Sequence, residues 1–143
     1  MRKFFLLLGL LLAACQGAGE TAVPRAASIT CHTAYRSGVS VPIEREESVT
    51  FSDEDSQHTL DYADLAFYAQ YSSGESDHER ALVIRVTEPG QTAVLTSQLY
   101  QLTAGSGPVN QFVGGHGFTG LNYVYHPATG AELQFWCTAA SEQ

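Results

Sequence analysis

Short stretches in which apolar and polar side chains alternate make up most of this chain from Ser28 onward. The first stretch has two alternating sets: Ile29, Cys31, Thr33 and Tyr35 on one side, and Ser28, Thr30, His32 and Ala34 on the other. A period of two residues is typical of a β-strand with one buried face, because successive side chains of a strand point to opposite sides. The pattern therefore predicts a fold built from strands.

Further strands are predicted over 48–51, 60–71, 81–87, 92–102, 118–125 and 131–138. Turn residues separate them: Pro89 and Gly90 suit the two central positions of a β-turn, and 126–130 joins the last two strands in a hairpin. Segment 60–71 also fits a helical stripe, but its aromatic content favours a strand. We expect an all-β domain, a small antiparallel sandwich or barrel of six to eight strands.

The first fifteen residues have a different character. Arg2 and Lys3 precede an apolar run from Phe4 to Ala14, a pattern typical of a secretory signal. The run is shorter than the roughly 20 apolar residues that a membrane-spanning helix needs. A buried N-terminal helix and an ordinary secretory signal with a chance cysteine are the alternatives to the interpretation that follows.

The apolar run ends in Leu12-Ala13-Ala14-Cys15, which resembles the lipobox of bacterial lipoproteins. The resemblance implies that residues 1–14 are removed and that Cys15 carries a diacylglycerol thioether and an acylated amine, palmitate for example. The protein would then be anchored in the cell membrane or outer membrane, with its domain facing the periplasm or the exterior. Gln16, rather than Asp, follows the cysteine, which favours the outer membrane.

The predicted organisation has four parts. Residues 1–14 are the signal peptide, 15–27 are the lipidated cysteine and a flexible tether, 28–140 are a single β domain, and 141–143 are a tail. The tether is rich in small and polar residues with Gly and Pro, a composition typical of linkers.

Two cysteines remain once Cys15 is lipidated. An exported domain lies in an oxidising compartment, and two cysteines allow one intramolecular pairing. Cys31 and Cys137 both fall on the apolar sides of predicted strands, so we expect a disulfide between the first and last strands. Closing a loop of about 100 residues stabilises a fold by up to about 4.7 kcal/mol.

The charge balance of the exported part is acidic. Seven cations less Arg2 and Lys3 leave five arginines against fifteen carboxylates, a formal charge of −10. Such a surface repels phosphate groups, so nucleic acid is not an expected partner, whereas cationic partners are attracted.

Two acidic segments offer candidate metal ligands. Asp53 and Asp55 lie in one, and Asp77 in the other. Carboxylate oxygens are the ligands that calcium prefers, but neither segment has the spacing of an EF-hand loop. Solvated loops explain these residues more simply, so no metal and no cofactor is predicted.

Four glycines surround His116 in the segment 114–120. Glycines permit positive φ and a close approach of the backbone, and His116 could be a general base or contact a ligand. The segment has neither a P-loop lysine nor a nucleophile-elbow serine. A tight connection into the final hairpin is the simpler interpretation.

Aromatic side chains mark the final hairpin. Tyr123 and Tyr125 share one side of their strand, and Trp136 lies on the polar side of the next. Tyr and Trp are enriched at recognition surfaces because they combine apolar area with a polar tip. His116, Tyr123, Tyr125 and Trp136 are therefore the candidate ligand-binding residues, and no catalytic residues are predicted.

Three functions are consistent with the sequence. The first is a lipid-anchored envelope protein with a non-catalytic binding domain, whose partner is a cationic protein or a glycan. The second is an envelope hydrolase or metal-dependent enzyme that uses His116 and an acidic loop. The third is a purely structural component of the envelope.

Overall fold

A computed structural model describes residues 26–51, 55–72, 80–91, 93–102 and 108–141. Within these residues the chain forms eight β-strands and one short 3₁₀ turn at Pro89–Gln91. The strands are β1 (Ala26–Arg36), β2 (Arg45–Phe51), β3 (Ser56–Asp61), β4 (Ala66–Ser72), β5 (Ala81–Thr87), β6 (Val94–Gln101), β7 (Asn122–Tyr125) and β8 (Glu132–Ser141). The all-β prediction is confirmed. None of the described segments is a helix of the length and apolarity needed to cross a bilayer.

The strands form two antiparallel four-stranded sheets. Sheet A has the order β2-β1-β8-β7, and sheet B has the order β3-β4-β5-β6. Their inner faces pack together, as the rings of Phe67 in sheet B and Phe135 in sheet A show with a centroid distance of 5.6 Å. The largest fully buried side chains come from both sheets, among them Phe51, Leu82 and Leu133. The fold is therefore a sandwich with one core between its sheets.

The disulfide joins the two central strands of sheet A. Cys31 lies directly opposite Cys137 in the antiparallel pairing of β1 with β8, and both side chains are buried. The predicted bridge and the predicted proximity of the first and last strands are both confirmed. The bridge also determines the register, because each step forward along β1 is one step backward along β8. His32 therefore lies opposite Trp136.

Two strand predictions were wrong in their extent. Segment 60–71 contains the end of β3 and most of β4, separated by a turn in which the Tyr62 amide donates to the Leu65 carbonyl at 2.8 Å. Segment 118–125 is a strand only over Asn122–Tyr125. The preceding residues turn instead, because Gly117 and Gly120 take positive φ values of 63° and 72°.

Several predicted features lie outside the described residues. They are the signal segment, Cys15, the tether as far as residue 25, and the carboxylates of Asp53 and Asp77.

Candidate binding face

The four candidate residues of the sequence analysis lie together on the outer face of sheet A. Tyr123 and Tyr125 point outward from β7, because Val124 between them is buried. Trp136 points outward from β8, between the buried Phe135 and Cys137. Tyr123 and Tyr125 are 50% and 51% exposed. These aromatic side chains therefore face solvent rather than the core.

Trp136 lies between two imidazole rings. The ring of His32, its cross-strand partner, stacks on it with a centroid distance of 5.2 Å and an interplanar angle of 18°. The ring of His116 meets it nearly at a right angle, at 5.6 Å and 83°. Cross-strand aromatic pairs of this kind stabilise a sheet by up to about 1 kcal/mol. The cluster holds the indole in one orientation, partly exposed.

The loop that carries His116 continues sheet A beyond the short strand β7. The side-chain amide of Asn110 donates to the Ala139 carbonyl at 2.7 Å, and its oxygen accepts from the Ala139 amide at 2.9 Å. Farther along the loop, the Phe118 amide donates to the Cys137 carbonyl at 3.0 Å. The loop thus pairs with the outer part of β8, which β7 is too short to reach.

Gly117 allows this close approach. A Cβ atom at this position would lie 1.9 Å from the Cys137 carbonyl oxygen, a distance that no real structure tolerates. The Cys137 amide in turn donates to the Thr119 hydroxyl at 2.8 Å. The two bonds at Cys137 fix the loop against β8, and the ring nitrogen Nδ1 of His116 lies 3.1 Å from the Val113 carbonyl.

The same loop extends the face with apolar side chains. Val113 is 94% exposed, and Phe112 is also exposed, with its ring against Gly120. Because Val113 and His116 are in contact, the apolar side chains adjoin the aromatic cluster. The exposed area therefore continues from the sheet onto the loop.

An ion pair between the partly exposed Arg36 and the buried Glu132 lies at the other end of the face. Glu132 projects from β8 on the outer side, yet it is only 1% exposed. Arg36, its cross-strand partner, donates to the Glu132 carboxylate at 2.6 Å, and the amide of Gln134 donates at 2.7 Å. Burial raises the pKa of Glu132, but hydrogen bonds from Arg36, Gln134 and Tyr125 outweigh it, so the net pKa is lowered. Glu132 also raises the pKa of Arg36.

This ion pair positions Tyr125. Burial, followed by the adjacent Glu132 carboxylate, raises the pKa of the Tyr125 hydroxyl, and that hydroxyl donates a hydrogen bond to Glu132. The charges of Arg36 and Glu132 compensate each other. The pair therefore holds Tyr125 in place and adds no net charge to the outer face.

A shallow groove crosses the face beside Trp136. His32 and Trp136 form one wall, while Glu46 and Ser48 of β2 form the other. Ala34 is the small residue opposite Glu46 on β1. We call this the Trp136 groove. Within the described residues, the Glu46 side chain is exposed and takes part in no ion pair that involves Arg36 or Arg45.

The outer face of sheet B has a different character. Tyr68 on β4 donates its hydroxyl toward Gln57 and Gln70, at 3.1 and 2.8 Å, and Arg85 lies over its ring. Leu99 is an exposed apolar residue there, at 68%. The outward tyrosine of sheet B is thus engaged by its neighbours, whereas those of β7 are half exposed.

The metal hypothesis gains no support from the described residues. No group of three or more His, Cys, Asp or Glu side chains lies close enough to hold an ion within them. Asp55 is exposed in the turn just before β3 of sheet B, whereas His116 contacts sheet A through Trp136. The structure does not bring the histidine and this carboxylate together.

Four further residues of this face were not candidates from the sequence: His32, Arg36, Glu132 and Gln134. All four lie on the polar side of β1 or β8, which the alternation had already indicated. The missing signal was the register. If Cys31 and Cys137 are taken as directly opposed, His32 must lie opposite Trp136, and Arg36 opposite Glu132.

Comparison with models of protein families, with curated proteins and with solved structures finds no match for this chain.

Proposed function

We propose that this chain is a lipid-anchored protein of a bacterial cell envelope, and that its β-sandwich binds a partner on the outer face of sheet A without catalysing a reaction. The observation that carries the proposal is a convergence. His116, Tyr123, Tyr125 and Trp136 come from different segments, and all four belong to one exposed face.

The core does not need these four side chains. It already contains Phe51, Phe67 and Phe135, and it lies between sheet A and sheet B. Exposed Tyr and Trp side chains are typical of recognition surfaces, where rigid aromatic area binds at a small cost in entropy. Adjacent apolar side chains on the 108–120 loop extend the same surface.

The lipobox supports the anchoring part of the proposal. The residues of the tether that precede β1, 16–25, could span up to about 35 Å when extended, a reach that would separate the domain from the lipid head groups. A Cys15→Ser variant is expected to lose palmitate labelling and to leave the membrane fraction. Labelling that persists in this variant would refute lipidation at Cys15.

A photo-crosslinking experiment tests the binding face. The full chain is produced in bacteria with p-benzoylphenylalanine at position 123, and irradiated in intact cells. The matched control carries the same group at position 99, which is similarly exposed but lies on the outer face of sheet B.

We expect a discrete cross-linked species from position 123 and none from position 99. Equal cross-linking from both positions, or none from either, would contradict the proposal. A clean result at position 99 alone would assign the binding surface to sheet B instead.

A further inference from the structure

We propose that the Trp136 groove takes an arginine side chain from a basic segment of a protein partner. This inference rests on the proposed binding face and specifies what the face recognises. It depends on the lining of the groove and on the charge of the chain.

The groove is lined by hydrogen-bond acceptors. Glu46 contributes a carboxylate and Ser48 a hydroxyl, and the imidazole of His32 contributes a ring nitrogen when it is neutral. Arginine carries five N–H donors in a planar fork and has no acceptor. The donors of a guanidinium therefore match these acceptors.

The aromatic wall suits the rest of the arginine side chain. The indole of Trp136, held between His32 and His116, offers a rigid apolar edge. Arginine buries its aliphatic stem along such surfaces while its charged head remains near polar groups. A small neutral ligand would leave the Glu46 carboxylate without a cationic partner.

Charge complementarity favours a basic partner over a neutral glycan. Without residues 1–14 the chain has five arginines against fifteen carboxylates, a formal charge of −10, and the cation on β1, Arg36, is compensated by Glu132. A cationic segment is therefore attracted to this face both at long range and at contact.

The test uses the full lipoprotein in vesicles of phosphatidylcholine, which carries no net charge. Trp136 is the only tryptophan of the chain, so a change in its emission reports binding at the groove. The probes are end-blocked hexa-arginine, end-blocked hexaglutamate and chitohexaose, each titrated at fixed ionic strength.

Two variants that each remove one negative charge distinguish the effect of the groove carboxylate from the effect of the net negative charge. Glu46→Gln removes the carboxylate of the groove, while Asp61→Asn removes an exposed carboxylate at the end of β3 in sheet B. Both sites are exposed, so both variants are expected to fold, which their urea midpoints check.

Hexa-arginine is expected to shift the Trp136 emission saturably, and hexaglutamate is not. Glu46→Gln should raise the Kd for hexa-arginine roughly fivefold, the size of an ion pair between exposed charges, and Asp61→Asn less than twofold. Equal weakening by the two variants would overturn the proposal, because only the net charge would then matter.

A response to chitohexaose without one to hexa-arginine would also overturn it, in favour of a glycan. The cross-linking experiment at position 123 tests the proposed binding face separately. If position 123 cross-links in cells while none of the three probes binds, the arginine assignment is wrong and the proposed face stands. If position 123 does not cross-link either, both proposals fail.

Discussion

Replacing Gly117 with alanine should loosen the loop that holds His116 against Trp136. The new Cβ atom would lie 1.9 Å from the Cys137 carbonyl oxygen and 2.9 Å from the Thr138 Cα. Both atoms belong to the backbone of β8, so no side-chain rotation can relieve the contact. Gly115→Ala is the matched control, since Gly115 also has a positive φ but nothing lies within 4 Å of its added Cβ.

The two substitutions share one cost and differ in another. An alanine in the left-handed region costs about 1–2 kcal/mol at either position. At position 117 the loop must also withdraw from β8, which breaks the hydrogen bonds from the Phe118 amide and to the Thr119 hydroxyl. Each contributes about 1 kcal/mol net. Gly117→Ala should therefore destabilise the fold by about 2 kcal/mol more than Gly115→Ala does.

Urea unfolding followed by the fluorescence of Trp136 measures this difference. With a slope of about 2 kcal/mol per molar urea, 2 kcal/mol corresponds to a midpoint about 1 M lower. The indole also reports the loop directly, because His116 contacts its ring. The native emission of Gly117→Ala should change, whereas that of Gly115→Ala should match the wild type.

Midpoints that agree within about 0.3 M would refute the reasoning. They would mean that the loop does not press against β8 at Gly117, and that left-handed backbone alone explains the glycine. An unchanged native emission would also show that His116 does not hold the Trp136 indole in its orientation.

Three other perturbations have directions that the structure determines. Replacing Cys31 and Cys137 together with alanine should lower the free energy of unfolding by up to about 4.7 kcal/mol, because the bridge closes a separation of 106 residues; urea midpoints equal to the wild type would contradict this. Glu132 has a lowered pKa, so its contribution is present above its ordinary pKa of 4.5 and is lost as the pH falls through its folded-state value. Stability measured from pH 7 to 3 should therefore fall less steeply in Glu132→Gln than in the wild type, and parallel curves would oppose the ion-pair assignment. Burial, followed by the hydrogen bond to Asp64, raises the pKa of Tyr35 to about 12. The free energy of unfolding should therefore fall as the pH rises from 10 to 12. The Tyr35→Phe variant should show a smaller decline, and a decline equal to that of the wild type would contradict the assignment to Tyr35.

Two strands in the middle of the sheets, β5 and β8, could be predicted because their alternation is regular. Along β5 the fully buried Leu82, Ile84 and Val86 alternate with less buried residues, as the sequence indicated, and Leu133, Phe135 and Cys137 are the buried apolar set on β8. The disulfide could be predicted because Cys31 and Cys137 both fall on apolar sides of predicted strands. The turn between β3 and β4 was missed because Tyr62 and Leu65 are buried at the end of the sandwich, and apolar residues of this kind imitate a continuous strand.

The face could be predicted only in part. Side-chain alternation identified Tyr123, Tyr125 and Trp136 as outward-facing, but it carries no information about which strands are neighbours. The position of His116 depends on Gly117 and Asn110, whose contacts with β8 are tertiary. Glu132 is buried on an outer face because Arg36 and its other neighbours cover it, which no pattern of single residues indicates.

Hydroxyl-radical footprinting of the unmodified protein is the most direct test of binding through the outer face of sheet A. Oxidation of each residue is compared between the protein in its native envelope and the purified lipoprotein in phosphatidylcholine vesicles. We expect Tyr123, Tyr125 and Trp136 to be oxidised more slowly in the envelope, with Leu99 on sheet B unchanged. Equal oxidation of the three aromatic residues in both preparations, or protection confined to Leu99, would contradict binding through sheet A.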